Sequence, residues 1–106
     1  MMRYRVAGML LAITGTVLGP YTLAQDFAPA QIRKGADIYA QNCSPCHGAR
    51  MQDPNSAFDL RTFPPGEKNR FVTSVVKGRN SMPPWGDLLQ PDDVEALWAY
   101  VRAGER

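Results

Sequence analysis

The sequence predicts an all-α fold: three main helices joined by long loops and gathered around one covalently bound cofactor. Three observations predict it. Apolar residues recur at helical spacing in three separate segments, with no comparable run of alternation. Nine glycines and nine prolines, many between those segments, punctuate long connections. The third is the pentapeptide Cys43-Ser44-Pro45-Cys46-His47, whose spacing is that of haem attachment. The 106 residues, 44% apolar and 21% charged, amount to one ordinary domain. That length excludes multidomain enzymes, and no fixed period marks a solenoid.

The chain opens with a secretory leader. Met1-Met2-Arg3-Tyr4-Arg5 is a short basic start, and an uncharged, mostly apolar run follows from Val6 to Leu18. Gly19-Pro20 ends it, and Thr22-Leu23-Ala24 sets small residues at a cleavage site after Ala24. The competing reading is a retained anchor, but the run is shorter than the ~20 residues that span a bilayer. The expected division is therefore a signal peptide over 1–24 and a working domain over 25–106, exported to the periplasm without stable membrane association after cleavage. Cleavage removes Arg3 and Arg5 from twelve basic residues and none of the ten acidic ones, leaving zero net charge. A nucleic-acid partner would call for a basic stripe, and none is visible.

The first helix is expected from about Ala30 to Asn42, with Ile32, Ala36 and Tyr39 on one stripe. Gly48 to Pro65 reads as loop, broken by Asp53-Pro54-Asn55 and Pro64-Pro65. The second helix runs from about Glu67 to Lys77, with Phe71, Val72, Val75 and Val76 at helical spacing and Gly78 as its stop. The third starts at Pro91, which suits a first turn. Asp92, Asp93 and Glu95 complement its positive end, Val94, Leu97, Trp98 and Val101 form its stripe, and Gly104 ends it. Gln90 is a poor N-cap, which leaves the first turn prone to fraying.

Eighty-two residues make a small core, and such domains usually need a staple. Cys43 and Cys46, the two cysteines, would close only a tiny loop if paired. A thiol redox centre belongs with a βαβ pattern that is missing upstream. Zinc wants about four N or S ligands, and the chain has one histidine and two cysteines. The remaining reading is haem c: each thiol adds to a vinyl group, and His47 reaches the iron from the same face. The second axial ligand cannot be a histidine. Met51 lies one helical turn from His47, on the same face, so Met82 is the candidate for the far side. The stiff Met82-Pro83-Pro84-Trp85 loop could hold a weak thioether in place. Lys68 and Lys77 are minor alternatives.

These segments resemble the small class I c-type cytochromes over about Ala30 to Gly104. The resemblance implies a cytochrome c fold around one haem, ligated by His47 and Met82 and attached through Cys43 and Cys46. It implies a helix crossing in which Gly35 and Tyr39 meet Leu97, Tyr100 and Val101. It also implies a backbone carbonyl that accepts the His47 ring N–H. Where the family often has a proline, this chain has Phe58, so Phe58 and Pro54 both stand as candidates for that acceptor. Arg61 and Trp85 are the candidate partners for the haem propionates. The implied function is single-electron transport by Fe(II)/Fe(III) cycling, without catalysis because both axial positions are filled. The partners expected are transient redox proteins, among them a periplasmic dehydrogenase or an oxidase. Asp59-Leu60-Arg61 and the Met82 loop also look like segments of cytochromes that accompany quinoprotein alcohol dehydrogenases, so a dedicated electron-accepting subunit is the second reading. If Met82 does not bind, a ligand sensor or peroxidase-like site becomes the third.

Overall fold

The computed structural model describes residues 27–104 together with 2, 3, 8, 12, 14 and 15. The leader expected over 1–24 otherwise lies outside the described residues. Four helices follow in order: α1 (Pro29–Asn42), α2 (Ser44–His47), α3 (Lys68–Lys77) and α4 (Pro91–Ala103), with 3-10 turns at Ala49–Met51 and Leu60–Thr62. Among the described residues the one β feature is an isolated antiparallel bridge between Arg79 and Met82. The three long helices begin and end within a residue or two of expectation. α2, a single turn, is the addition, and it carries the pentapeptide.

α1 and α4 form the main packing layer. Gly35 is where they touch most closely: a Cβ there would strike the Ala96 carbonyl oxygen, its carbon at 2.6 Å and Tyr100 Cβ at 2.8 Å. A larger residue would force the axes apart, so glycine is required by space rather than by backbone angle. One turn on, the Tyr39 and Tyr100 rings pack at a tilt of 47° with centroids 5.2 Å apart. Of the expected partners of Gly35 and Tyr39, Tyr100 is one, and Ala96, which was not expected, is another. Leu97 and Val101 share the buried cluster with Tyr39 and line the wall of the cavity described below.

α4 is more deeply buried than an amphipathic stripe would make it. Residues 96–101 are all buried, because α1 and α3 both pack on α4. Its first turn is also firmer than Gln90 suggested. Asp93 reaches back and accepts the Gln90 backbone N–H at 2.8 Å, satisfying a donor that the helix itself cannot. On the surface, Lys34 of α1 pairs with Asp92 at 3.1 Å and Asp93 at 3.2 Å, and Lys68 of α3 pairs with Glu95 at 2.6 Å. Surface pairs of this kind contribute little to stability.

α3 ends at Gly78, whose φ of 78° favours glycine. The chain then returns beneath the helix. Trp85 N–H donates to the Val75 carbonyl at 2.9 Å and Gly86 N–H to the Val76 carbonyl at 3.1 Å. The last carbonyls of α3 are thereby satisfied by the loop that follows it, which fixes that loop against the core. No helix among the described residues is long and apolar enough to cross a membrane.

Candidate functional site

The site is built from three segments that face one cavity of about 880 Å³. The first is the turn after α1. Cys43 closes α1 through its N–H to the Tyr39 carbonyl at 2.8 Å, and its own carbonyl starts α2 by accepting the His47 N–H at 2.9 Å. Cys43 and Cys46 are therefore three residues apart on one helical turn, and both face the cavity with His47. Tyr39 backs this turn: its phenol donates to the Gly48 carbonyl at 2.6 Å. Burial pushes that phenol up to about 12.

The second segment is the loop before α3. The Phe58 carbonyl lies 3.0 Å from His47 Nδ1. A carbonyl can only accept, so Nδ1 carries the proton and the Nε2 lone pair is left for a metal. Of the two candidate acceptors, the structure selects Phe58 over Pro54. This bond fixes the ring orientation in the way metal-ligating histidines require. The third segment is the loop after α3. The Arg79 N–H donates to the Met82 carbonyl at 3.0 Å, and the Met82 N–H donates to the Arg79 carbonyl at 2.9 Å. The tight turn between them carries Asn80 at φ 53° and brings Met82, Pro83 and Trp85 to the cavity wall.

The remaining wall is mostly apolar: Phe63, Phe71, Val75, Leu97 and Val101 line it beside Arg70 and Ser74, and Phe63 meets Phe71 edge-on at 5.6 Å. The residues present fit a haem. Two thiols free of disulfide bonding, one imidazole with a defined free nitrogen and one thioether share a cavity with aromatic and aliphatic walls. Cys43, Cys46, His47 and Met82 are the side chains on this wall that could hold such a group. A zinc site is absent in kind: among the described residues no three His, Cys, Asp or Glu side chains gather to hold a metal ion. Thiol redox chemistry is also poorly served. Burial, with the neighbouring Cys46 adding to it, pushes the Cys43 thiol up to about 11, the opposite of an activated cysteine.

Two expectations come out differently. Arg61 does not reach the cavity, because Asp59, the residue that caps its 3-10 turn, holds it through Nε at 3.1 Å and Nη2 at 3.2 Å. Met51 is set apart from the cavity, but not by a continuing helix. α2 stops at His47, Met51 adopts φ 62°, and its side chain is fully buried in the core. Lys68 and Lys77 also lie off the cavity wall. Sequence reasoning missed Arg70 and Arg79, the two cations that do line it. Arg70 sits one helical turn before Ser74 on the face that also carries Phe71, a spacing that was legible. Arg79 sits three residues before Met82, but its place at the cavity depends on the turn.

This fold and site define a small class I c-type cytochrome. The chain belongs to the family described as "Cytochrome C oxidase, cbb3-type, subunit III", which matches residues 30–101. Proteins of this cytochrome c family are electron carriers with covalently bound haem c and its iron. A cytochrome c6 of Microcystis aeruginosa is 35% identical over 74 residues, covering 65% of this chain and 91% of the relative. The quinohemoprotein alcohol dehydrogenase ADH IIB of Pseudomonas putida is 33% identical over 81 residues, covering 74% of this chain. The chain spans only 12% of that dehydrogenase's length. Among solved structures, cytochrome c6 from the diatom Phaeodactylum tricornutum superposes with a TM-score of 0.55 at 26% identity, covering 68% of this chain and 91% of the diatom protein.

Proposed function

We propose that this chain is an exported monohaem cytochrome that carries single electrons between protein partners in the periplasm. The observation behind this reading is the one cavity shared by Cys43, Cys46, His47 and Met82. Bound haem supplies a one-electron Fe(II)/Fe(III) couple. The chain supplies the rest. Cys43 and Cys46 attach the ring as thioethers, His47 offers Nε2 while Phe58 holds its other nitrogen, and Met82 offers sulfur from a loop stiffened by Pro83 and Pro84. A Met/His pair favours a raised potential. With His47 and Met82 both holding the iron, no position would be left for a substrate, which favours electron transport over catalysis. Redox encounters of this kind bury little surface, below ~1,200 Å². An oxidase or a dehydrogenase is the class of partner that the family description and the Pseudomonas putida likeness suggest. The leader over residues 1–24 delivers the 25–106 domain.

The test is intact mass with a reduced-minus-oxidised spectrum on protein made in a host that matures c-type cytochromes. One covalent haem, cleavage after Ala24 and a far-red thioether band are expected. Met82→Ala should lose that band and let the ferrous protein bind carbon monoxide. Wild-type protein that already binds carbon monoxide would remove Met82 as ligand and favour a sensor or peroxidase-like site.

The second reading is a dedicated electron-accepting subunit of a periplasmic quinoprotein-type dehydrogenase. It rests on the 33% identity to a stretch of the Pseudomonas putida dehydrogenase. Stable co-purification with one dehydrogenase from the native host would favour it over a freely exchanging carrier.

A further inference from the structure

The charges on the cavity wall are one-sided. Among the described residues, its ionisable side chains apart from His47 are the thiols, the Tyr39 phenol and two arginines, and no aspartate, glutamate or lysine lines it. A haem brings two carboxylates, and a carboxylate leaving water needs a cation or several donors. Arg61, the sequence's candidate, is spent on Asp59 outside the cavity. Arg70 is partly engaged: its guanidinium lies 3.3 Å from Glu67 and 4.7 Å from the centre of the Phe63 ring. Arg79 forms no ion pair or side-chain hydrogen bond with any described residue, and its backbone is bonded in both directions to Met82.

We propose that Arg79 is the principal anchor for the haem carboxylates, and that it is a positioning residue whose charge also sets the reduction potential. The proposal rests on the haem reading above. A guanidinium presents forked donors that match a carboxylate in two parallel bonds. Because Arg79 and Met82 are locked in one two-bond turn, the anchor and the sulfur ligand move as a unit. Gripping a carboxylate at Arg79 therefore also holds the ligand loop in place. The cation has an electrical effect as well. Reduction removes one positive charge from the iron, so a nearby cation favours the ferrous state, and its loss must favour the ferric one.

The test compares holoprotein carrying Arg79→Gln, Arg79→Lys, Arg70→Gln and Arg61→Gln by redox titration, far-red absorption and haem content from intact mass. Arg79→Gln should lower the reduction equilibrium constant about three- to tenfold, tenfold being 59 mV for one electron. Arg79→Lys should recover most of that shift, Arg70→Gln should move it less, and Arg61→Gln should move it by under twofold. Loss of haem in Arg79→Gln but not in Arg79→Lys also supports the charge role. An Arg79→Gln reduction equilibrium constant within twofold of wild type overturns the proposal, as does a larger shift from Arg61→Gln or equal haem loss in both Arg79 variants. Wild-type protein without haem would instead sink the reading beneath it.

Discussion

Tyr39 shows how much one side chain does here. It packs on Tyr100, backs the cavity and holds the Gly48 carbonyl just after the histidine. Replacing it with phenylalanine keeps the ring contacts and leaves that carbonyl without its donor, at a cost of about 1 kcal/mol. The phenol also makes the fold sensitive to alkali. Its folded pKa of about 12 exceeds the ordinary 10, so the stability it contributes is complete below pH 10 and is lost as pH rises through about 12. Urea midpoints measured on the holoprotein from pH 9 to 12 should fall for wild type, with a smaller fall for Tyr39→Phe. Phe58 teaches a complementary lesson. What it gives His47 is its backbone carbonyl, so Phe58→Ala should leave the ligand spectrum unchanged. It should lose only the edge contact with Phe63, about 0.5–1.5 kcal/mol by chemical denaturation.

Among the elements, the α1–α4 crossing decides whether a cavity forms at all. In an isolated helix Gly35→Ala would be favourable by about 1 kcal/mol. Here the added carbon meets the Ala96 carbonyl group, and backbone cannot step aside as a flexible side chain can. Overpacking of about 1–3 kcal/mol should offset or exceed the propensity gain, so a lowered urea midpoint is expected. At the start of α4, Asp93→Ala removes the acceptor for the Gln90 N–H and should cost about 1 kcal/mol. Asp93→Asn, which keeps an acceptor oxygen, should recover part of it. The loop after α3 is held differently, by the Val75 and Val76 carbonyls and by the Arg79–Met82 turn. Its stability is therefore tied to the C-terminal end of α3, and hydrogen exchange at the Trp85 and Gly86 amides should slow with that helix rather than with an open loop.

For the whole molecule, the cofactor is also core. The cavity of about 880 Å³ is walled by Phe63, Phe71, Val75, Leu97 and Val101, apolar side chains that a bound ring would pack against. A domain of this size has little other apolar surface to bury. The double variant Cys43→Ala with Cys46→Ala, which cannot attach the ring, should lose cooperative thermal unfolding monitored by circular dichroism while wild-type holoprotein retains it.

What could be read from residues alone is the local chemistry and the local periodicity. The pentapeptide names its cofactor because two thiols and an imidazole at that spacing sit on one turn whatever surrounds them. The three long helices follow from apolar spacing, Pro91 in a first turn, and Gly78 and Gly104 at the ends. Met82 was singled out by elimination, as the methionine left in a stiff loop. The tertiary structure alone decided the rest, because those features depend on segments far apart in sequence meeting in space. It chose Phe58 over Pro54 as the histidine's acceptor and Ala96 as the close neighbour of Gly35. It closed the first turn of α4 through Asp93. It turned Arg61 toward Asp59 and brought Arg70 and Arg79 to the cavity instead. A cation's partner is set by which loop folds against which helix, and no spacing within one segment encodes that.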